Sequence, residues 1–284
     1  MSPAAALKDG ELGLAEFRSV AGIMHDEARI SLSPAKVSLV QSRLARRLRA
    51  RGLQSFRDYV RLVREDDDER AAMVTALTTN HTSFFREKHH FDHLRETLRP
   101  MLKDKVRRGD GTRIWSAGCS SGEEVYSIAM TLLGTDESDA HWLRGADVRL
   151  LATDISPPMV AATERATYPR VSADSVPLGH RALWLREEGE SVAMVEQVRA
   201  LVTARVLNLF SDWPIRQRYD AIFCRNVMIY FDDESKAELE IRLVDRLLPG
   251  GFLYIGHSER LVGPAAAIAE PCGQTIYVKR EEAA

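Results

Sequence analysis

The fold of this chain is best predicted from the segment Arg113–Ser127, which reads Arg-Ile-Trp-Ser-Ala-Gly-Cys-Ser-Ser-Gly-Glu-Glu-Val-Tyr-Ser. A short apolar strand leads into a loop of small residues and then into a helix whose first turn carries Glu123 and Glu124. Glycines let a ligand approach such a loop closely, and a strand–loop–helix unit of this kind usually binds a nucleotide cofactor. The segment therefore favours a cofactor-binding loop over a merely structural turn.

The two acids of this helix indicate which ligand the loop accepts. A helix N-terminus usually binds a pyrophosphate, because its free N–H groups and its dipole attract negative charge. Glu123 and Glu124 occupy the position of that phosphate, and their carboxylates would repel it. The loop thus favours a ligand such as S-adenosylmethionine, which has a ribose, an ammonium and a sulfonium but no phosphate. Acids also complement the dipole of ordinary helices, so the structural alternative stays open.

The pattern of apolar residues changes near residue 110. Helical stripes precede this point, as in Leu14, Phe17, Val20 and Met24, and strands alternate with helices after it. This order predicts a helical N-terminal domain (residues 1–87), a helical connector (88–111) and an α/β domain with a mainly parallel sheet (112–284). Two short apolar runs around Gly189 predict a small antiparallel insertion at about residues 169–200.

Composition excludes several classes of function. The net charge of −2 over 284 residues shows no general preference for polyanions, so we expect no nucleic-acid partner. Neither a signal peptide nor an apolar stretch of bilayer length is evident, so we expect no direct membrane insertion. Cys119, Cys224 and Cys272 are far apart and form no C-x-x-C pair, which suits a reducing cytoplasm.

Ligands of doubly wound sheets bind beyond the carboxyl ends of the strands. The residues at these predicted ends are Gly118 to Glu123, Asp154, Asn208, Leu209, Arg225 and Asn226. One carboxylate can accept hydrogen bonds from both ribose hydroxyls, and this role suits Asp154. The residue could instead cap the helix that begins near Pro157. Asn208 and Asn226 suit the amine and ring nitrogens of adenine, whereas each asparagine alone is more typical of a turn.

Five motifs in order resemble those of the chemotaxis receptor methyltransferases (CheR). They are Thr79–Arg86 (TNHTSFFR), Ser120–Glu124 (SSGEE), Ala152–Ile155 (ATDI), Cys224–Phe231 (CRNVMIYF) and Gly256–Glu259 (GHSE). The resemblance implies an α/β class I (Rossmann-like) S-adenosylmethionine methyltransferase domain with a small antiparallel β-subdomain, preceded by an all-α N-terminal domain. It also implies methylation of glutamate side chains on the cytoplasmic helices of chemoreceptors, with S-adenosylhomocysteine as the second product.

The resemblance assigns individual residues as well. It implies cofactor contacts from Asn80, Thr82, Arg86, Glu123, Asp154, Asn208, Leu209, Arg225 and Asn226, and it places Arg86 and Tyr230 nearest the reacting methyl group. A glutamate carboxylate, with a reference pKa of about 4.3, is already ionised at neutral pH and needs no general base. Arg86 can then hold the carboxylate with two hydrogen bonds while the Tyr230 hydroxyl aims one oxygen.

Two further features concern partners. Arg43, Arg46 and Arg49 are predicted to face outward from a helix, either as a solvated face or, as the resemblance implies, as a surface for the acidic methylation helices. Some family members bind a receptor's C-terminal pentapeptide through a glycine-bearing loop of the β-subdomain. The corresponding turn here, Arg186–Glu190, is short and acidic with one glycine, so we expect no dependence on a pentapeptide.

Other interpretations are weaker. His89 and His93 have the spacing of a metal-binding pair, but no third ligand is evident and methyl transfer needs no metal, so we expect none. His257-Ser-Glu259 lacks the nucleophile of a triad and is better explained as a loop at the pocket edge. The alternatives to receptor methylation are a methyltransferase for a different protein and a non-catalytic scaffold that binds S-adenosylmethionine.

Overall fold

The computed structural model describes residues 11–281 and divides them into two compact units. The first unit holds the described residues as far as Thr79 together with Tyr230–Asp232. The second unit holds Asn80–Ile229 and the described residues from Asp233 onward. Helices form the first unit, and a seven-stranded sheet with flanking helices forms the second.

Four helices build the first unit: α1 (Leu14–Ala28), α2 (Val37–Ala50), α3 (Phe56–Glu65) and α4 (Asp67–Leu77). The spacing of Ser55 and Asp58 predicts a capping box at the start of α3, and the N-cap is confirmed, because the Ser55 hydroxyl accepts the N–H of Asp58 at 3.2 Å. Ser33 makes no such side-chain bond, and Pro34–Lys36 forms a separate 3₁₀ turn before α2.

A buried carboxylate lies in the middle of this helical unit. Glu69 has no solvent exposure and accepts hydrogen bonds from Arg47 at 2.6 and 2.9 Å, from Arg51 at 2.5 Å and from the Tyr59 hydroxyl at 2.8 Å. Three elements are joined through this one side chain, since α2 carries the first arginine, α3 the tyrosine and α4 the glutamate. The apolar periodicity gave no sign of it.

The segment Tyr230–Asp232 completes the first unit from far along the chain. Ser31 donates its backbone N–H to the Tyr230 carbonyl at 2.8 Å, and Ile30 pairs with Phe231 in an isolated antiparallel bridge. His25 Nε2 lies 2.9 Å from Asp232 Oδ2. The end of α1 is therefore anchored by the last two residues of the fourth motif, Tyr230 and Phe231, and by Asp232, which follows it.

The second unit begins with α5 (Lys88–His93), a π-helical turn (Leu94–Leu98) and α6 (Arg99–Arg107). Its large sheet has the order β6-β2-β1-β7-β8-β10-β9. The strands are β1 (Thr112–Ala117), β2 (Val148–Asp154), β6 (Val202–Val206), β7 (Tyr219–Cys224), β8 (Leu247–Ile255), β9 (Ala269–Gly273) and β10 (Ile276–Lys279). The first five in spatial order are parallel, and β10 pairs antiparallel with both neighbours.

Helices cover this sheet, chiefly α7 (Glu123–Leu133), α8 (Pro157–Arg165) and α11 (Asp233–Asp245), with the short α9 (Leu178–Trp184), α10 (Glu196–Arg199) and α12 (Ala265–Ile268). The predicted fold class, an α/β unit behind an all-α one, is confirmed. One boundary differs from the prediction. A proline followed by two glycines predicts that the preceding helix ends at Pro249-Gly-Gly251, but these residues lie inside β8, where a register irregularity between Tyr219 and Ala221 accommodates them.

A second, three-stranded antiparallel sheet has the order β3-β5-β4, with β3 at Thr167–Pro169, β4 at Leu185–Glu188 and β5 at Ser191–Met194. Gly189 makes the turn between β4 and β5 with a φ of +62°. The side chains of Glu187, Glu188 and Glu190 are exposed around this turn. The small sheet therefore presents an acidic tip.

Candidate functional site

The loop between β1 and α7 depends on its glycines. Gly118 has a φ of +81°, and a Cβ there would come within 2.5 Å of the Val227 side chain. Gly122 has a φ of +99°, and a Cβ there would come within 2.8 Å of the Thr163 hydroxyl. The N–H groups of Gly118 and Cys119 both donate to the Thr153 carbonyl at 2.8 Å. The loop thus folds tightly over the end of β2.

Asp154, the last residue of β2, organises the loops on either side of it. One carboxylate oxygen accepts the N–H of Ser120 at 2.9 Å, and the other accepts the N–H of Ser156 at 2.9 Å. The helix α8 has its N-cap at Ser156, so the alternative in which Asp154 caps that helix is wrong. Each oxygen retains a lone pair for a ribose hydroxyl. Burial raises the pKa of Asp154, while these backbone N–H groups oppose the rise.

Both acids at the start of α7 are largely buried. Glu123 is 8 % exposed and accepts a hydrogen bond from the Ser121 hydroxyl at 2.6 Å. Glu124 accepts from the Ser116 hydroxyl at 2.7 Å and lies 3.1 Å from the Arg225 guanidinium. An acid in the first turn of a helix, one position after Glu123, predicts a dipole-matched surface residue for Glu124, and this prediction is wrong, because the buried Ser116 and Arg225 draw its carboxylate inward. Burial raises the pKa of both glutamates.

Residues 80–87 lie along the glycine loop. The Ser120 hydroxyl donates to the Asn80 carbonyl at 2.8 Å, and the Phe85 N–H donates to the Ser127 hydroxyl at 2.9 Å. Phe84 is 2 % exposed and packs edge-on against Tyr168. The structure therefore brings Asn80, from the first motif, to the loop formed by the second, and holds Phe85 against the helix α7 that follows this loop.

Arg86 itself lies between two residues of unusual backbone conformation. Phe85 has a φ of +53° and Glu87 a φ of +60°, a left-handed region that costs residues other than glycine about 1–2 kcal/mol each. The half-buried Arg86 side chain donates to the His81 carbonyl at 3.1 Å. Strained backbone of this kind clusters at active sites, so Arg86 is a candidate active-site residue.

The remaining predicted cofactor residues follow other strand ends. The Asn208 side chain accepts the Phe210 N–H at 2.9 Å, which forms the turn that its residue type suggests. Leu209 is buried and Thr82 is half-buried. Asn226 has a φ of +58° and donates its side-chain amide to Glu87 at 3.2 Å. Asp154, the acids of α7 and these two asparagines supply acceptors and amides suited to S-adenosylmethionine.

Glu259 joins two loops at this strand edge, although the sequence placed it only in the fifth motif. Its carboxylate accepts the N–H groups of Gly256 at 2.5 Å, Asn226 at 3.0 Å and Ile229 at 3.2 Å, so it joins the loops that follow β7 and β8. The side chain is 6 % exposed. Burial raises the pKa of the Glu259 carboxyl, although these hydrogen bonds act to lower it. The fifth motif and the pocket-edge loop predicted from the sequence include Glu259, but neither indicated these hydrogen bonds.

Tyr230, the second predicted catalytic residue, belongs to the helical unit. It ends a 3₁₀ turn that starts at Met228, and its half-buried ring lies 5.8 Å from the Lys36 ammonium. Arg86 belongs to the other unit.

The predicted spacing of His89 and His93 does not bring these two residues together. His93 Nδ1 pairs with the Tyr254 hydroxyl at 2.8 Å, whereas Glu87, His89 and His90 offer ligand atoms within 4.8 Å of one another. The Arg225 guanidinium lies 3.2 Å from the Glu87 carboxylate and would repel an added cation. Burial and this arginine lower the pKa of His90 to about 3.

The basic helix is only partly as predicted. Arg46 and Arg49 are exposed, but the half-buried Arg43 donates to the carbonyls of Leu77 and Thr78, both at 2.8 Å. Arg43 therefore satisfies the last carbonyls of α4, and the prediction that it faces outward is wrong.

A cavity of about 990 Å³ lies elsewhere in the second unit. Its walls include Trp213, Arg218, Arg242, Asp245 and Arg246, which flank the amino ends of β7 and β8. The glycine loop and Asp154 follow the carboxyl ends of parallel strands, so this cavity is separate from the candidate cofactor site.

Comparisons with known proteins agree with this geometry. Residues 80–278 match the family described as CheR methyltransferase, SAM binding domain, and residues 15–78 match CheR methyltransferase, all-alpha domain. The chain is 40% identical over 261 residues to a probable chemotaxis protein methyltransferase of Rhizobium etli, which covers 90% of this chain and 96% of the relative. It is 40% identical over 268 residues to chemotaxis protein methyltransferase 2 of Pseudomonas aeruginosa, covering 92% of each.

The Escherichia coli chemotaxis protein methyltransferase is a third relative, 36% identical over 272 residues, which are 93% of this chain and 90% of the relative. Within residues 11–281, no helix is both long enough and apolar enough to cross a membrane.

Proposed function

Because the chain belongs to the CheR methyltransferase family, and so uses S-adenosylmethionine for methyl transfer in chemotaxis, we propose that it methylates glutamate side chains on the cytoplasmic helices of chemoreceptors. The observation that carries this proposal is the joining of three motifs at one strand edge. Ser120 of the glycine loop bonds both Asp154 and Asn80, so the ribose-type acid and the segment bearing Arg86 meet at one residue. The reaction would take place in the cytoplasm.

The cofactor site that we propose uses the polar groups at these strand ends. Its contacts are Asn80, Thr82, Arg86, Glu123, Asp154, Asn208, Leu209, Arg225 and Asn226. At Arg225 the contact comes from the main chain, because the side chain is 2 % exposed and its guanidinium is already bonded. The Asp154 carboxylate would bind the ribose with its remaining lone pairs.

S-adenosylmethionine, when bound, supplies a methyl group that its sulfonium makes electrophilic. The catalytic task of the chain is then to align a carboxylate that is already ionised and to exclude water from it. Arg86 would hold this carboxylate through its two parallel N–H groups, and Tyr230 would orient one oxygen. Charge on the carboxylate disappears in the transition state, so a tight grip by Arg86 would slow the reaction. Both residues therefore orient the substrate and do not stabilise developing charge.

The receptor would be recognised through charge. Arg46 and Arg49 remain exposed on α2 for the acidic methylation helices, while Arg43 serves the helical unit itself. The acidic tip of the small sheet, Glu187 to Glu190, is poorly suited to a peptide ending in a carboxylate. We therefore propose that methylation does not depend on a C-terminal pentapeptide.

The test is incubation of the protein with S-adenosylmethionine labelled in its methyl group and with receptor-containing membranes. Base-labile label on receptor glutamates is the expected result, at equal rates for receptors with and without their last five residues. Label on another protein would indicate a different substrate. Cofactor binding without any transfer, measured by calorimetry on the same preparation, would indicate a scaffold.

A further inference from the structure

A buried ionic cluster, formed by Arg225, Glu87 and Glu124, holds the backbone around Arg86 in place. The Arg225 guanidinium donates to the Arg86 carbonyl, lies 3.2 Å from the Glu87 carboxylate and lies 3.1 Å from that of Glu124. Its side chain is only 2 % exposed. A planar guanidinium with five donors can serve three acceptors at once, which a lysine ammonium cannot do with the same geometry.

Glu87 is the most heavily bonded member of this cluster. One oxygen accepts from the Asn226 amide at 3.2 Å and from the backbone and ring of His257 at 3.3 and 3.1 Å, while the other faces Arg225 and His90. Burial alone would raise the pKa of Glu87. The charge of Arg225 and the hydrogen bonds from His257 and Asn226 outweigh it, and the pKa falls to about 2. Glu87 is therefore ionised at every working pH.

The strained residues explain why such anchoring is needed. Phe85 and Glu87 both have a positive φ, a conformation that persists only where surrounding contacts impose it. Ser127 fixes the N–H of Phe85, Arg225 fixes the carbonyl of Arg86, and the carboxylate of Glu87 is fixed on its other side. Removing one anchor would let the segment relax and turn the Arg86 side chain away.

We propose that Arg225 and Glu87 are positioning residues for methyl transfer, which set the direction of the Arg86 side chain by holding its backbone in a strained turn. This inference rests on the proposed role of Arg86. It gives the Arg225 side chain a task separate from cofactor binding. Glu124 supports the arginine from its other side but does not touch the Arg86 segment.

The experiment compares R225K, E87Q and E124Q with the wild type, and uses E270Q, in the exposed Arg280–Glu270 pair, as a surface control. R225K and E87Q should lower kcat at least tenfold while the Kd of S-adenosylhomocysteine changes less than threefold. E124Q should have a smaller effect on kcat, and E270Q none. R225K and E87Q should also speed hydrogen exchange at residues 84–88, with folding checked by thermal unfolding.

Three outcomes would overturn the proposal: an unchanged kcat, a loss of affinity for S-adenosylhomocysteine that matches the loss of kcat, or a loss of activity that only follows the unfolded fraction. Hydrogen exchange and S-adenosylhomocysteine binding do not require a receptor. If the wild type fails to methylate receptors, the proposed function fails, and an unchanged exchange rate in R225K and E87Q would still overturn the positioning role on its own.

Discussion

The carboxylate of Asp154 accepts the backbone N–H of Ser120 at 2.9 Å, and this bond ties the glycine loop after β1 to the end of β2. The same loop is anchored on its other side, where the Ser120 hydroxyl donates to Asn80. An acid at this position thus shapes the site before any ligand is present.

Replacing Asp154 by asparagine should weaken S-adenosylhomocysteine binding at least tenfold. The amide keeps the size of the side chain but has one acceptor oxygen in place of two, so either Ser120 or Ser156 loses its bond and the ribose loses a charged acceptor. Calorimetric titration measures the effect. S258A, at an exposed serine of the neighbouring loop, is the control. An unchanged Kd in D154N would contradict the ribose-binding role.

The two proposed catalytic residues should respond differently to conservative changes. Y230F removes one hydroxyl and should lower kcat about tenfold with little change in cofactor affinity. R86K keeps the charge but loses the two parallel donors, and should lower kcat by about 10- to 100-fold. Receptor methylation rates at saturating cofactor check both, with Y277F on β10 as the control. Full activity in Y230F would exclude its hydroxyl from aligning the substrate.

Charge reversal on α2 should weaken receptor recognition. R46E with R49E should raise the KM for receptor several-fold at low salt and leave S-adenosylhomocysteine binding unchanged, because these two side chains are exposed. The difference from the wild type should shrink as ionic strength rises, since salt screens exposed charges. R57E with R61E on α3 carries the same change of charge as a control. Equal loss in both double variants would show that α2 is not the recognised surface.

The helical unit should depend on Glu69. E69Q leaves Arg47, whose side chain is 30 % exposed, without its charged partner, and should lower the free energy of unfolding of this unit by about 2 kcal/mol. Burial by itself raises the pKa of Glu69, but the hydrogen bonds from Arg47, Arg51 and Tyr59 lower it overall. The wild type is therefore more stable than E69Q by the full amount above a pH of about 4.5. This difference in stability is lost as the pH falls through the pKa that Glu69 has in the folded protein, which is lower. Chemical unfolding measures it, with E65Q on α3 as the control.

Glu240 should make the protein less stable at high pH. Its pKa is raised by burial to about 7, although the Val262 N–H donates to it. Between its ordinary pKa of about 4.5 and the folded-state value, the unfolded chain ionises first, so stability falls as pH rises through this range. E240Q should remove that fall, which amounts to about 3–4 kcal/mol at about 1.4 kcal/mol per pKa unit. Equal unfolding profiles from pH 5 to 8 would refute the assignment.

Local signals were sufficient for parts of the fold and the site. Apolar periodicity gave the bounds of β1 and β7, and the rule that ligands bind beyond strand ends picked out Asp154. Neither signal, however, predicts contacts between residues that are far apart in the sequence. Glu124 meets Arg225 across 101 positions, and no local pattern could show that this pair buries both charges. The left-handed residues beside Arg86 were equally hidden, because tertiary anchors and not residue type impose that conformation.

The segment Tyr230–Asp232 restricts how this protein can be recombined with its relatives. A chimera that replaces residues 11–79 by the helices of another family member would keep this chain's own Tyr230, Phe231 and Asp232 against foreign partners for Ser31, Ile30 and His25. A functional graft must therefore carry two separate stretches of sequence. A substitution in either stretch therefore needs a compatible residue in the other.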